Sequence, residues 1–227
     1  MERTTLCLVL VVAALIDMGC YDLNEADCLE STEFLLAALE GRGEVVKILF
    51  GRKEVKPDEP DIDGRTPLSY AAEGRHEGPV KIQLGREEVN PDRSDNHGRI
   101  PLIWAAWNRI EREVKILLGQ EETNPDEPDN DGRTPPSAAP WGRHKEVVKI
   151  LLRWEKIKPN RLDNDGETLL IYAIEGGHAD VVKILLGQKK VTSDKPDNSG
   201  RIPLSHAAWF GCEAVVKILL QREEAEP

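Results

Sequence analysis

The sequence predicts an all-α solenoid: short helix-turn-helix units stacked in one direction, with turn tips protruding along one edge. Three observations carry this. Glycines recur at Gly64, Gly98, Gly132, Gly166 and Gly200, one every 34 residues. Asp61, Asp95, Asp129, Asp163 and Asp197 keep the same step, as do Ala71, Ala105, Ala139, Ala173 and Ala207, and Lys81, Lys115, Lys149, Lys183 and Lys217. Each period also holds two short apolar segments, followed by a stretch rich in Pro and charge. Five such periods without an insertion mark a repeat architecture, in which a core forms only by stacking neighbours.

The units span 61–94, 95–128, 129–162, 163–196 and 197–227, the last ending early. A more divergent unit fits 27–60, where Ala37-Ala38 and Val45-Val46-Lys47-Ile48-Leu49 fall in register. One step further back, Val11 to Ile16 matches the second apolar segment, so residues 1–26 read as the back half of another unit.

Within a unit the elements follow in order. Asp-Asn-x-Gly is a tight turn whose Gly supplies a positive φ. Thr66-Pro67 opens a first helix: Thr caps free N–H groups and Pro fits the first helical position. Leu68, Ala71 and Ala72, spaced i, i+3, i+4, mark its buried face. After a break at Gly74-Arg75-His76, a second helix carries Val80, Ile82 and Leu84. The tail from Gly85 to Ser94 reads as a loop.

Composition fits a thin core. Apolar residues make up 40% of the 227, enough for a folded chain, but there are only 5 Trp, 3 Tyr and 3 Phe. Leu, Ile, Val and Ala must therefore fill the interior. The net charge is −11, from 41 acidic and 30 basic residues, which argues against a general binder of nucleic acid or anionic membrane. No apolar run reaches the roughly 18 residues of a membrane-spanning helix. Cys7, Cys20, Cys28 and Cys212 form no Cys-x-x-Cys pair and read as reduced packing residues of an intracellular protein.

Gly64-Arg65-Thr66-Pro67-Leu68-Ser69-Tyr70-Ala71-Ala72 and Gly177-His178-Ala179-Asp180-Val181-Val182-Lys183-Ile184-Leu185-Leu186 resemble the ankyrin repeat, with its Thr-Pro-Leu-His-x-Ala-Ala, Gly-His and Val-Val-x-x-Leu-Leu signatures. The resemblance covers nearly the whole chain and is similar to the long, near-identical arrays of fungal proteins. Tetratricopeptide repeats share the period, but their Trp/Leu-Gly/Tyr pattern is missing here.

Some units depart from this pattern. Ser69, Ile103, Ser137, Ile171 and Ser205 stand where the family has His. Ile100 and Ile202 replace the capping Thr, at an expected cost of about 1 kcal/mol each. Pro136 replaces Leu, and Pro140 replaces the second Ala, which should shorten or kink that first helix. Gln83 stands where other units have Leu. Units 61–94 and 129–162 are thus the expected weak points.

Catalytic and metal chemistry find little support. His76, His144 and His178 share one repeat position. With helices about 8–10 Å apart, the first two would lie roughly 20 Å from each other. His97 and His206 look isolated. The Glu-Glu pairs at 87–88, 121–122 and 223–224 read as a solvated loop edge. No phosphate loop or nucleophile elbow is present. No catalytic residue, metal, cofactor or small-molecule substrate is expected.

The resemblance instead implies a partner-binding concave face, made by the turn tips and the two residues after Ala-Ala. Those residues include Glu73, Trp107, Trp141, Glu175, Trp209 and Phe210, and the tips contribute Arg65, His97, Arg99, Arg133 and Arg201. Trp and Arg are common binding hot spots, and three of the five Trp share one repeat position. The alternative is that these Trp fold back over neighbouring helices. Trp104, Tyr70, Tyr172 and His206 occupy an inward position and read as core, while Trp154 at a loop start has no assigned role.

Leu6 to Ile16 could be a secretory signal, but Glu2 beside Arg3 and the repeat register favour a truncated helix. The expected function is non-catalytic binding of a protein partner in the cytoplasm, with the nucleus as an alternative. Two other readings stand beside it: a sensor or autoregulatory segment of a larger protein, and a secreted effector. Val216, Leu219 and Leu220, with no following unit to cover them, favour the larger protein.

Overall fold

The computed structural model describes residues 33–52, 55–139 and 145–223. The expected half-unit at 1–26, with Cys7 and Cys20, lies outside the described residues, as do Cys28, Pro140, Trp141 and His144.

Among the described residues the secondary structure is helical, with no strand. The helices come in pairs: α1 (Glu33–Leu39) with α2 (Gly43–Phe50), α3 (Pro67–Glu73) with α4 (Glu77–Leu84), and α5 (Pro101–Trp107) with α6 (Glu111–Leu118). Then follow α7 (Pro135–Ala138) with α8 (Lys145–Leu152), α9 (Leu169–Glu175) with α10 (Ala179–Leu186), and α11 (Pro203–Trp209) with α12 (Glu213–Glu223). First helices pack on first helices and second on second, giving two layers joined within each pair. No helix among these residues is long and apolar enough to cross a membrane.

The core runs between the layers. Leu68, Leu102 and Leu170 of the first helices are buried, as are Val46, Val80, Val114, Val148 and Val182 of the second. The alanine column from Ala71 to Ala207 is fully buried, so adjacent first helices approach closely. In α4 the inward face is Val80 and Gln83, spaced i, i+3; Ile82 and Leu84, expected there, are only half-buried. At the far end, Leu219 is buried, Val216 half-buried and Leu220 exposed.

The tight turns take the expected form. Gly64, Gly98, Gly132, Gly166 and Gly200 all have φ between +76° and +81°. Each turn also binds the next. The Asn96 side chain donates to the Ile62 carbonyl at 2.8 Å, Asn130 to Asn96 at 3.0 Å, Asn164 to Asn130 at 2.8 Å and Asn198 to Asn164 at 2.9 Å. The backbone N–H groups of the same four Asn donate to Asp63, His97, Asp131 and Asp165 carbonyls. The turn tips thus form a ladder along the array. A second set of links joins the Pro-Asp loops: Asp92 accepts from the Asn124 N–H at 2.6 Å and Asp126 from Lys158 at 3.3 Å.

The departures have visible results. Thr66 and Thr168 accept capping hydrogen bonds from Ser69 and Ile171, while Ile100 and Ile202 make none. Ile100 is fully buried, and burial of about 1.5–3 kcal/mol offsets its lost cap. Helix α7 has four residues where the other first helices have seven, and it stops two residues before Pro140. Gln83 is fully buried; its amide reaches the Pro67 carbonyl only at 3.5 Å, and its Oε1 has no partner. Glu113, at a position taken by Val in α8, α10 and α12, is also buried. Burial first, and then the nearby Glu77 charge, raise its pKa.

Candidate partner-binding face

The first-helix face is organised by two columns of the repeat. One holds Arg65, Arg99, Arg133, Glu167 and Arg201 at the end of each turn. The other holds Tyr70, Trp104, Ala138, Tyr172 and His206, mid-helix. The turn Asp links them. Its first oxygen accepts backbone N–H groups of the turn, as Asp61 does from Asp63 and Arg65. Its second oxygen takes the mid-helix side chain: Tyr70 donates to Asp61 at 2.7 Å and Tyr172 donates to Asp163.

Arg65 and Arg99 fold inward, whereas Arg133 and Arg201 stay more exposed. Arg65 lies 3.9 Å from the Tyr70 ring centre and 4.0 Å from that of Trp104 in the next unit, and it ion-pairs with Glu73. The Arg65 side chain is 13% exposed and that of Glu73 33%, and among the described residues the buried Arg65 Nε has no hydrogen-bond partner. Arg99 pairs with Asp95 at 3.0 Å and lies 4.3 Å from the Trp104 ring centre. Arg133 pairs with Asp131 at 3.2 Å and donates to the Tyr172 hydroxyl at 3.1 Å. Arg201 pairs with Asp197 at 2.8 Å but stays half exposed. The His97 side chain is exposed at its tip, and its carbonyl serves the ladder.

The aromatic residues divide. Trp209 is 83% exposed, and Phe210 beside it 48%. Trp107 is 45% exposed and stacks on Trp104 at 6.2 Å between ring centres. Tyr172 and His206 are buried as expected, whereas Tyr70 and Trp104 are half-buried. Trp154 is partly exposed.

The mid-helix column is interrupted once, at Ala138. A cavity of about 180 Å³ opens there, lined by Ile103, Trp107, Asp129, Arg133 and Ala138. Asp129 keeps its turn hydrogen bonds, from the Asp131 and Arg133 N–H groups at 3.0 and 2.8 Å. Among the described residues it has no tyrosine or imidazole partner such as Asp61, Asp163 and Asp197 have. Burial raises its pKa.

His206 corrects the sequence reading, which left it isolated. Its ring is 2% exposed; Nε2 lies 3.0 Å from Asp197 Oδ2 and Nδ1 lies 3.2 Å from Glu175 Oε1. Burial alone would raise the Asp197 pKa, but hydrogen bonds from Arg201, His206 and Ser199 hold it down at about 2. Glu167 takes the place of Arg in its column, and its pKa is pushed up to about 7 by burial and by the Glu175 and Asp163 charges.

The sign of this shift sets a pH dependence. A folded pKa near 7 lies above the ordinary value of 4.5, so the folded state holds a proton that the unfolded state has released. The stabilisation is complete below pH 4.5 and is lost as pH rises through 7. Thermal unfolding by circular dichroism should show a higher Tm at pH 6 than at pH 8. Glu167→Gln should flatten that difference; an unchanged slope in the variant would contradict the assignment.

A model of ankyrin repeats, in three copies, matches residues 34–129, 79–163 and 137–227, and these matches together cover 34–227 without a gap. The chain belongs to the ankyrin-repeat family. Ankyrin repeats are in general protein–protein interaction modules and typically non-catalytic. No curated protein matches this ankyrin chain.

Proposed function

We propose that this ankyrin array binds a protein partner on its first-helix face, and that the cavity at Ala138 receives one partner tyrosine. The observation that carries this is the break in the mid-helix column. Tyr70 and Tyr172 show what the fold accepts there: an aromatic ring whose hydroxyl donates to the turn Asp. At Ala138 the mid-helix position holds no ring, while Asp129 and Trp107 are among the described residues that line the space. About 150 Å³ accommodates a benzene ring, so the cavity is large enough for one aromatic side chain. Trp107 then acts as a hot-spot wall, and Trp209 and Phe210 extend the apolar contact at the far end.

The test fills the cavity from within. Ala138→Tyr restores the residue type of the sister units and should keep or raise the Tm. Random peptides displayed on phage and selected on the full chain should enrich tyrosine. The selected peptides should lose at least about 10-fold in affinity against Ala138→Tyr and against Trp107→Ala, a loss of about 1.4 kcal/mol. Peptides without tyrosine, or equal affinity for folded Ala138→Tyr, would refute the proposal.

A further inference from the structure

We infer that Glu167, Glu175 and His206 form a binding site for a divalent transition-metal cation of the zinc type, across the junction of the last two units. One ligand atom from each residue lies within 4.8 Å of the others. His206 is buried and both glutamates are half-buried. This is independent of the cavity at Ala138.

The array contains its own control. In unit 61–94 the same three places hold Arg65, Glu73 and, from the next unit, Trp104. There a guanidinium lies against the Glu73 carboxylate and over the Trp104 ring. In unit 163–196 the cation of that group is exchanged for a second carboxylate, Glu167, and the ring for an imidazole, His206. The neighbouring arginines do not neutralise the change: Arg133 pairs with Asp131, and Arg201 pairs with Asp197. The Glu167 carboxylate accepts no hydrogen bond among the described residues. A place built around a positive charge has lost it and gained two ligand-type side chains.

The imidazole is oriented for coordination. The Asp197 carboxylate stands 3.0 Å from Nε2, where it accepts the ring proton. Nδ1, on the other side of the ring, faces the Glu175 oxygen at 3.2 Å. That spacing is bridged either by a proton on Nδ1 or by a cation that both atoms share. A carboxylate behind the far nitrogen of a ligating histidine is the usual supporting partner in zinc sites.

The donor set selects the metal class. One imidazole with two carboxylates suits zinc and its neighbours, whereas magnesium and calcium favour oxygen ligands alone. Tetrahedral zinc, with bonds of about 2.1 Å, places ligand atoms about 3.4 Å apart. Small rotations of the glutamate side chains close the difference and leave the fourth position to water.

The test is titration of the full chain with zinc chloride at pH 7 in physiological salt with excess magnesium, followed by calorimetry. Cobalt(II) absorption serves as a second readout of nitrogen–oxygen coordination. One zinc per chain is expected. Glu167→Gln should weaken binding at least about 10-fold. Glu167→Arg, which restores the residue of the other units, should abolish binding and raise the Tm in chelator. Because His206 is buried and its replacement could unfold the array, the two Glu167 variants decide the matter, each checked for helicity. Absence of saturable one-to-one binding, or wild-type affinity in both folded variants, would overturn the site.

Discussion

Gly98→Ala is expected to destabilise the array by about 2–5 kcal/mol, while Gly200→Ala costs only about 1–2 kcal/mol. The two glycines have nearly the same φ, +78° and +77°, so the backbone penalty of a side chain is shared. Their surroundings differ. A Cβ on Gly98 would lie 2.7 Å from the backbone nitrogen of Asn130 in the next unit, whereas a Cβ on Gly200 would meet nothing within 4 Å. The excess at Gly98 therefore measures the stacking of one turn tip on the next. Urea unfolding of both variants, followed by circular dichroism, reads the difference directly. Equal losses would show that the ladder of asparagines contributes nothing to stability.

Gln83→Leu is expected to stabilise the array by about 1–3 kcal/mol, against the usual direction of core substitutions. The wild-type amide is fully buried, with a single hydrogen bond at 3.5 Å and an oxygen that has no partner. Leu117, Leu151 and Leu185, at the same place in later units, are fully buried and show that the site accepts leucine. The reciprocal change, Leu117→Gln, should cost about 2–5 kcal/mol, since it removes packed methyl groups and buries an unpaired amide. The same urea experiment decides. A neutral or negative effect of Gln83→Leu would mean that the amide is satisfied in solution.

The helices and turns were legible because a strict period makes each unit confirm the others. Thr-Pro, the paired alanines and the turn glycine each meet one local physical need, and that need recurs unchanged along the chain. The weak points were legible for the same reason: Gln83 and Ile100 stand out against their own columns. Arg65 and Arg99 were harder. A turn arginine reads as exposed, and only the register between units brings the Trp104 ring to Arg65. His206 was missed because two of its neighbours, Glu175 and Glu167, belong to the preceding unit. Glu113 went unremarked although it breaks the valine column. Reading down the columns would have found these residues: Glu167 is the one acid among four arginines, and Ala138 the one small residue among aromatic rings and an imidazole.

The asparagine ladder has a consequence for how such a chain can change length. Each rung joins only adjacent turns, and the side-chain rungs from Asn96 to Asn198 repeat every 34 residues. Excising one whole period rejoins an asparagine to an equivalent carbonyl, and every remaining rung keeps its partner. Excising a single residue puts the turns on either side out of step. The fold is thus indifferent to the number of its units but intolerant of a fractional one. The two sites are not indifferent. The cavity at Ala138 draws on Ile103 and Trp107 from the unit before it, and the Glu167–Glu175–His206 cluster spans the last junction. Excising unit 95–128 or 129–162 would erase the cavity and excising unit 163–196 would erase the cluster while the scaffold stays sound, which separates what the repeat specifies from what its exceptions specify.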